Sequence, residues 1–459
     1  MQGASFVLLT LTDTLTIAFR ADALGLSFFV LALSMWTVAG LYALRYKDHQ
    51  ENNVRFFVFF FLTLMMLTGM SLAANYVTMY LFFEMMTFCS VPMVVHSGTA
   101  EAVSAAKKYL FYSIFGATLG LLGLFFVNAY SVSMDFLPGG VLDPVKVAGS
   151  EALLQKVLFF AVMGFGAKAG LLPLHAWLPA AHPVAPSPAS AVLSGVITKA
   201  GVFCIIRIIY YQFGPELVRG SWVQRSWIAV ALLTIMMGSL MALREKRLKT
   251  RLAYSTVSQV SYILLGVFYL NEAALAGALL HVLCHSVLKD GLFLSAGNIL
   301  YRTKLENVDD LKGIGRQMPC TLGCFTLFAL GLTGIPPLAG FLSKWELARG
   351  ALEADLIPYS LLGPAVLLAS AMLTAGYLFP IVLRGFFPGR GDAAGISGQG
   401  EAPGVMVGAL GALAAAAVFL GLFGGSALEF FQALAGDAFV CGTVSDDVRS
   451  LDPHCDISP

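Results

Sequence analysis

Charge is what this sequence lacks most. Lysine, arginine, aspartate and glutamate make up 12% of its 459 residues, where a soluble domain carries about 25%. A chain so short of charge, and 58% hydrophobic, expects lipid around it rather than water. Its net charge is +1, so nothing points to nucleic acid as a partner. The alternating segments of about ten residues that build a membrane β-barrel are absent too. The seven cysteines, Cys89, Cys204, Cys284, Cys320, Cys324, Cys441 and Cys455, form no CxxC pair, which argues against iron–sulfur or zinc ligation. Residues 1–12 lack the basic start and the small-residue cleavage site of a signal peptide. No motif for flavin, haem, quinone or nicotinamide is present, so neither cofactor nor metal is expected in this chain.

What the chain does have is apolar length. Runs of about 20 apolar residues recur from residue 24 to residue 432, each able to cross roughly 30 Å of hydrocarbon. They predict an all-α polytopic membrane protein of about twelve spanning helices. The spans are 24–45, 54–72, 75–95, 105–130, 153–178, 188–212, 226–243, 252–270, 274–300, 318–346, 357–386 and 404–432. Residues 1–23 read as an extracytoplasmic segment, 24–53 as a first helix and loop, and 54–386 as the core. Residues 387–432 then carry the last helix, and 433–459 form a polar tail with Asp446, Asp447, Asp452 and Asp456. Lysine and arginine counted in the short loops set the orientation: about 16 in the odd-numbered loops against about six in the even-numbered loops and termini. The strongest cluster is REKRLKTR, residues 244–251. Both termini should therefore face away from the cytoplasm of a cell inner (plasma) membrane. Cys441 and Cys455 share the tail on that oxidising side, where a bridge between them is permitted and free thiols are the plain alternative.

Against this background a few ionisable residues stand out. Glu84 in YLFFEMMTF, Lys168 in GFGAKAGLLP, Lys199 in GVITKAGVF, Lys289 in HSVLKDGLF and Lys344 in GFLSKWEL each fall on a different predicted span. A charge at the bilayer centre costs at least about 2.5 kcal/mol, so such residues face a protein interior or a water path. Local pairing that locks helices together would explain one of them. Five, four of them lysines, would be expected to balance their charges if they were purely structural, and as a set they do not. Lysine also suits proton carriage: burial disfavours its charged form and a nearby carboxylate restores it. Arginine never deprotonates.

Two spans are interrupted alike. Pro173 with His175 breaks the fifth, and Pro336–Pro337 with Gly334 and Gly340 breaks the tenth, each with a lysine close by. Broken helices at matching positions mark internal repeats around a mid-membrane path; a kink for packing alone is the competing explanation. The repeats would be 54–213 and 226–386, inverted, with five helices each. His281, His285 and Lys289 follow an i, i+4, i+8 pattern and so share one helix face. That spacing suits a hydrogen-bonded relay, although a histidine on such a face is often a packing residue. Metal ligation would need a carboxylate from another helix.

The stretch WLPAAHPVAPSPASAVLSGVITKAGVF resembles the signature of the antiporter-like membrane subunits of respiratory complex I, energy-converting hydrogenases and Mrp-type cation/proton antiporters. KTRLAYSTVSQVSYILLG, HVLCHSVLKDGLFLSAGN and GIPPLAGFLSKWEL extend the resemblance over roughly residues 15 to 390. It implies two inverted five-helix repeats with a central hydrophilic axis. It also implies that Glu84 pairs with Lys168, that Lys199 and Lys289 bridge, and that Lys344 is the terminal proton-exchanging lysine. His281 and His285 would hand protons to Lys289 and on to Lys344. Three departures qualify it. The family has fourteen core helices, and FRADALGLSFF resembles what precedes the third, so the first two are expected outside this chain. No long lateral helix is expected after the last span, unlike in the distal subunit of complex I. Ser194 stands where some members of that large-subunit type carry a histidine.

The expected function is proton translocation by a non-catalytic membrane subunit of a redox-driven pump, built like complex I or a membrane-bound hydrogenase. Its partners would be other membrane subunits, a redox peripheral arm, the lipid bilayer and protons. The alternative is a subunit of an Mrp-type Na⁺/H⁺ antiporter, without a redox arm and with Na⁺ as a second ion. A solute symporter fits the helix count but not the lysine row.

Overall fold

A computed structural model describes residues 5–12, 15–46, 52–389 and 400–439. Four helices lead the bundle: α1 (Ala23–Tyr46), α2 (Asn53–Ser71), α3 (Tyr76–Val94) and α4 (Ala100–Tyr130). After the short α5 (Pro144–Val147) comes the first broken span, α6 (Glu151–Ala169) and α7 (Trp177–Val184). The next runs without a gap through α8 (Ser187–Val192), a π-helical turn at Leu193–Ile197, α9 (Thr198–Ile208) and a second π-turn at Ile209–Phe213. The second half repeats the plan with α10 (Trp222–Arg244), α11 (Leu248–Phe268) and α12 (Glu272–Thr303). Its broken span is α13 (Pro319–Thr333) with α14 (Gly340–Glu353), followed by α15 (Tyr359–Phe386). The described residues close on α16 (Gly404–Leu422) and α17 (Gly424–Phe439).

Side chains of the polar loop residues start these helices. Asn75, Thr99, Ser221 and Asn271 each accept a hydrogen bond from a backbone N–H in the first turn of the helix that follows, meeting donors that lipid could not satisfy. Ten helices among the described residues are long and apolar enough to cross a membrane on their own. The most apolar part of Ser187–Phe213 is wholly buried and that of Glu272–Thr303 is 89% buried, against 33% for Tyr359–Phe386. The first two are therefore the central pillars, and the others present one side to lipid. α11 is too polar to register as a span by hydropathy, yet nearly all its residues are buried; its serines and threonines face protein. Small residues set the spacing elsewhere. A side chain on Gly116 of α4 or Gly164 of α6 would strike the facing backbone, so these helices cross in direct contact.

Both breaks are built the same way. α6 ends on Gly170 at φ 81° and α13 on Gly334 at φ 95°, the left-handed ending that glycine alone adopts without strain. The Leu171 N–H then reaches back to the Gly166 carbonyl at 2.8 Å, and the Ile335 N–H to the Leu330 carbonyl at 3.2 Å. A proline follows each turn and prevents the helix from resuming at once. Backbone groups are thereby left out of the helical ladder at two places related by the repeat.

The ends of the chain depart from expectation. Within the segment read as extracytoplasmic, Ser5–Thr10 and Thr16–Arg20 form an antiparallel hairpin, and its second strand leans on α3 through Phe19 and Phe82. The last span is not one helix over 404–432. It breaks after Leu422, where Gly421 lies against the Pro337 backbone, and α17 continues to Phe439, whose ring meets Tyr210. Cys441, Cys455 and the aspartates of the tail lie outside the described residues.

Candidate functional site

Lys168 is the last lysine before the first break and is 1% exposed. Its ammonium donates to three hydroxyls: Thr87 Oγ1 at 2.8 Å, Tyr109 Oη at 3.0 Å and Ser113 Oγ at 3.0 Å. It also lies 4.5 Å from the centre of the Tyr109 ring. Three donors thus meet three acceptors, which is what an ammonium needs when removed from water. Glu84 is not among them. It sits one turn before Thr87 on α3, half-buried, with Tyr80 Oη at 3.4 Å from one oxygen and the other buried and unpartnered. The expected pairing of Glu84 with Lys168 is therefore not a direct contact here. His175 occupies the turn between α6 and α7 and is half-buried, with Nδ1 unpartnered.

The π-turn at Leu193–Ile197 positions the next lysine. Its irregular winding leaves the Ser194 carbonyl turned inward, where it accepts from Lys199 Nζ at 2.6 Å and Thr198 Oγ1 at 2.8 Å. Lys199 Nζ is also 2.7 Å from His285 Nδ1 on α12. The His285 and His281 rings are 5.9 Å apart. His281 Nδ1 is 2.9 Å from Ser343 Oγ on α14, and its ring stacks on Tyr262 at 5.7 Å. The other face of this cluster is closed by Lys344, whose ammonium is 5.2 Å from the Tyr262 ring centre. Lys344 Nζ also donates to the Thr333 carbonyl at 3.1 Å and to the Leu332 carbonyl, both freed where α13 ends. Lys199, His285, His281 and Lys344 are thus drawn together along the bundle's middle.

Lys289 takes a different place from the one its spacing suggests. It shares the helix face with both histidines, but its ammonium donates to the Leu252 carbonyl of α11 at 3.0 Å. His285 faces Lys199 instead. The order of contacts is Lys199, His285, His281, then Tyr262 with Ser343 and Lys344, and Lys289 stands beside it. α9 inserts Lys199 between the helices, which no periodicity within α12 could reveal.

Several buried groups escape a reading based on lysines. Asp290 is 1% exposed, and both its oxygens lack a hydrogen-bond partner among the described residues. Gly195, the centre of the π-turn, makes room for it, since a side chain there would collide with its carboxylate. Glu346 is 3% exposed. These two carboxylates change the charge tally, so imbalance is a weaker argument than the lysine row implies. Asp290 was visible as the neighbour of Lys289, and Glu346 as the second residue after Lys344. His182 is fully buried, stacked on Phe293 at 4.7 Å, with both ring nitrogens unpartnered. Lys249 donates to the Ala185 carbonyl at 2.8 Å. No group of three histidines, cysteines or carboxylates able to hold a metal ion occurs among the described residues.

Arg207 shows what a structural buried charge looks like in this chain. Its Nη2 is 2.6 Å from Asp22 Oδ1, and the rings of Phe136, Phe203 and Tyr211 lie about it at 4.9, 5.1 and 4.8 Å. Burial pushes the Asp22 carboxyl up, but Arg207 and the Gly25 N–H outweigh it and hold it below the ordinary carboxylate value. A cation and a carboxylate met at close range leave nothing to exchange. The lysines differ: their partners are hydroxyls, carbonyls and one imidazole.

Broken helices in paired positions, with buried lysines and histidines strung between them, define a polytopic antiporter-like membrane subunit. The chain belongs to the NADH:quinone oxidoreductase/Mrp antiporter transmembrane family, whose pattern matches residues 73–379. NADH-quinone oxidoreductase subunit N of Desulforudis audaxviator is 36% identical over 366 residues, covering 79% of this chain and 70% of that protein. Hydrogenase-4 component B of Escherichia coli is 31% identical over 426 residues, 88% of this chain, which spans only 62% of its length. The Mrp complex of Dietzia sp. DQ12-45-1b contains a chain of the same fold, with a TM-score of 0.79 over 95% of this chain and 88% of its own, at 23% identity.

Proposed function

We propose that this chain carries protons across the membrane as one subunit of a redox-driven complex, along the axis from Lys168 through Lys199, His285 and His281 to Lys344. The observation that carries the reading is the pair of hydrogen bonds from Lys199 Nζ to His285 at 2.7 Å and from His281 to Ser343 at 2.9 Å, on two imidazole rings 5.9 Å apart, groups able to gain and lose protons. The redox assignment draws on the NADH-quinone oxidoreductase and hydrogenase subunits at 36% and 31% identity. The Mrp reading draws on the shared fold. One purification separates them. The complex captured through a tag on this chain should carry flavin or iron–sulfur absorbance and acidify one side of a vesicle when given a reductant. A colourless complex that moves protons only against a sodium gradient would favour the antiporter. Protons are taken to move outward from the cytoplasm, as in a redox-driven pump.

Glu84 acts in this scheme as a charge modulator. A carboxylate near an ammonium favours its charged form, so the distance of Glu84 from Lys168 decides whether that proton is held. Glu84→Gln should reduce transport nearly as far as loss of Lys168, and Glu84→Asp should keep part of it. Full transport by Glu84→Gln in reconstituted vesicles would remove Glu84 from the pathway.

Lys344 stores the proton at the far end. Lys344→Met keeps the bulk and loses titration, so transport should fail. Lys344→Glu should retain some, since a carboxylate also exchanges protons. Wild-type rates in Lys344→Met vesicles would place the end of the axis elsewhere.

A further inference from the structure

Beyond His281, the seam between α12 and α14 holds a carboxyl that the axis does not use. Ser343, Glu346 and Gly350 follow one another at steps of three and four on α14, and all are buried, so they share the face turned to α12. Three contacts fix the alignment. His281 Nδ1 is 2.9 Å from Ser343 Oγ. A side chain on Gly277 would come within 3.0 Å of Glu346 Cβ. Asn271 Nδ2, in the cap of α12, donates to the Gly350 carbonyl at 2.7 Å. Glu346 therefore lies between His281 and the end of the membrane span. Lys344 points the other way, toward the end of α13.

From Glu346 the charges step outward. Its side chain is 5% exposed and pairs at 2.9 Å with Arg349 Nη2, which is 45% exposed. Arg349 Nε in turn lies 3.4 Å from Glu353, which is 52% exposed. A buried carboxylate, a half-exposed guanidinium and an exposed carboxylate thus lead from the seam to the surface. Glycine at position 277 is what lets the first of them enter the seam.

We infer that Glu346 is the group through which protons leave the axis, after Lys344 returns its stored proton to His281 across the Tyr262 ring that both of them meet; this rests on the proton-carrying function proposed above. The Ser343 hydroxyl donates at rest to the Gly340 carbonyl at 3.2 Å. Turned toward Glu346, one step of three residues along the same face, it passes its proton to the Glu346 carboxylate as Ser343 Oγ takes the Nδ1 proton of protonated His281. The products are neutral imidazole, an unchanged serine and a carboxylic acid. The acid then yields its proton to water at the rim formed by Arg349 and Glu353, and the carboxylate pairs again with Arg349. Each transfer moves one proton and no other atom.

The rival role for Glu346 is a mere lock between α12 and α14, and three variants of the reconstituted complex separate the two. Glu346→Gln should lower proton transport by at least about tenfold, with thermal unfolding unchanged. Glu346→Asp should restore most of the rate, because it keeps the titrating group. Arg349→Gln removes the ion pair but leaves the carboxyl, and its thermal unfolding reports what the pair alone contributes to the seam. Equal loss of stability in Glu346→Gln and Arg349→Gln, with transport falling only in proportion to folded complex, would overturn the proposal. So would a full rate in Glu346→Gln while Lys168→Ala, measured beside it, has none. If Lys168→Ala also transports at full rate, the proton-carrying reading itself fails, and the release role falls with it.

Discussion

Replacing Lys168 with alanine is expected to cut coupled proton movement by at least about tenfold, well inside the roughly hundredfold or more that a positioned proton-transfer group supplies, while the complex still assembles. The ammonium is held by Thr87, Tyr109 and Ser113, and all three hydroxyls can also hydrogen-bond one another or water once it is gone. Ser90 Oγ, 2.6 Å from Tyr109 Oη, continues to anchor the tyrosine. The three direct partners of the lysine are uncharged, so its removal breaks no close ion pair of the kind whose loss destabilises a fold by several kcal/mol. The complex should elute at wild-type size and unfold at nearly the wild-type temperature. A large fall in assembly would instead assign Lys168 a structural role.

His285→Gln should be as severe. Glutamine can still accept from Lys199, since it offers a carbonyl oxygen in place of Nδ1, and it fills most of the imidazole volume. What it cannot do is take up and release a proton near neutral pH. Transport is expected to fall by at least about tenfold, with folding preserved, because the connection from Lys199 to His281 runs through that ring. Lys289→Met should be milder, as Lys289 donates to a backbone carbonyl outside the line of contacts. A reversal of this ranking would restore the order expected from the i, i+4, i+8 spacing.

The fold was largely legible because membrane helices announce themselves. Apart from the last, the predicted spans correspond to helix within a few residues, and both interruptions fall where glycine and proline placed them. The ends were less legible. SFVLLT is a short apolar run, which periodicity cannot assign to strand or helix, and only its pairing with Thr16–Arg20 decides the matter. The run GLFGG at residues 421–425 carried a break signal, yet the apolar sequence on both sides reads as one helix.

The candidate site was legible in its charges and not in their connections. Lys168, Lys199, Lys289 and Lys344 stand out because lipid penalises them. The hydroxyl cage of Lys168 does not, since serine, threonine and tyrosine are unremarkable in such helices until α3 and α4 meet around it. Asp290 and Glu346 were in plain view, each within two residues of a chosen lysine. The contact from Lys199 to His285 joins residues 86 apart in the chain and depends on a π-turn that no local pattern predicts.

The most direct test is proton transport by vesicles holding the complex with Lys168→Arg, at wild-type protein content and under the same driving force. Arginine keeps the positive charge and can still donate to the three hydroxyls, but it does not deprotonate. If protons pass through this chain by release and uptake at Lys168, the variant assembles normally and its proton signal falls to background. Equal proton movement by Lys168→Arg and wild type would contradict the account.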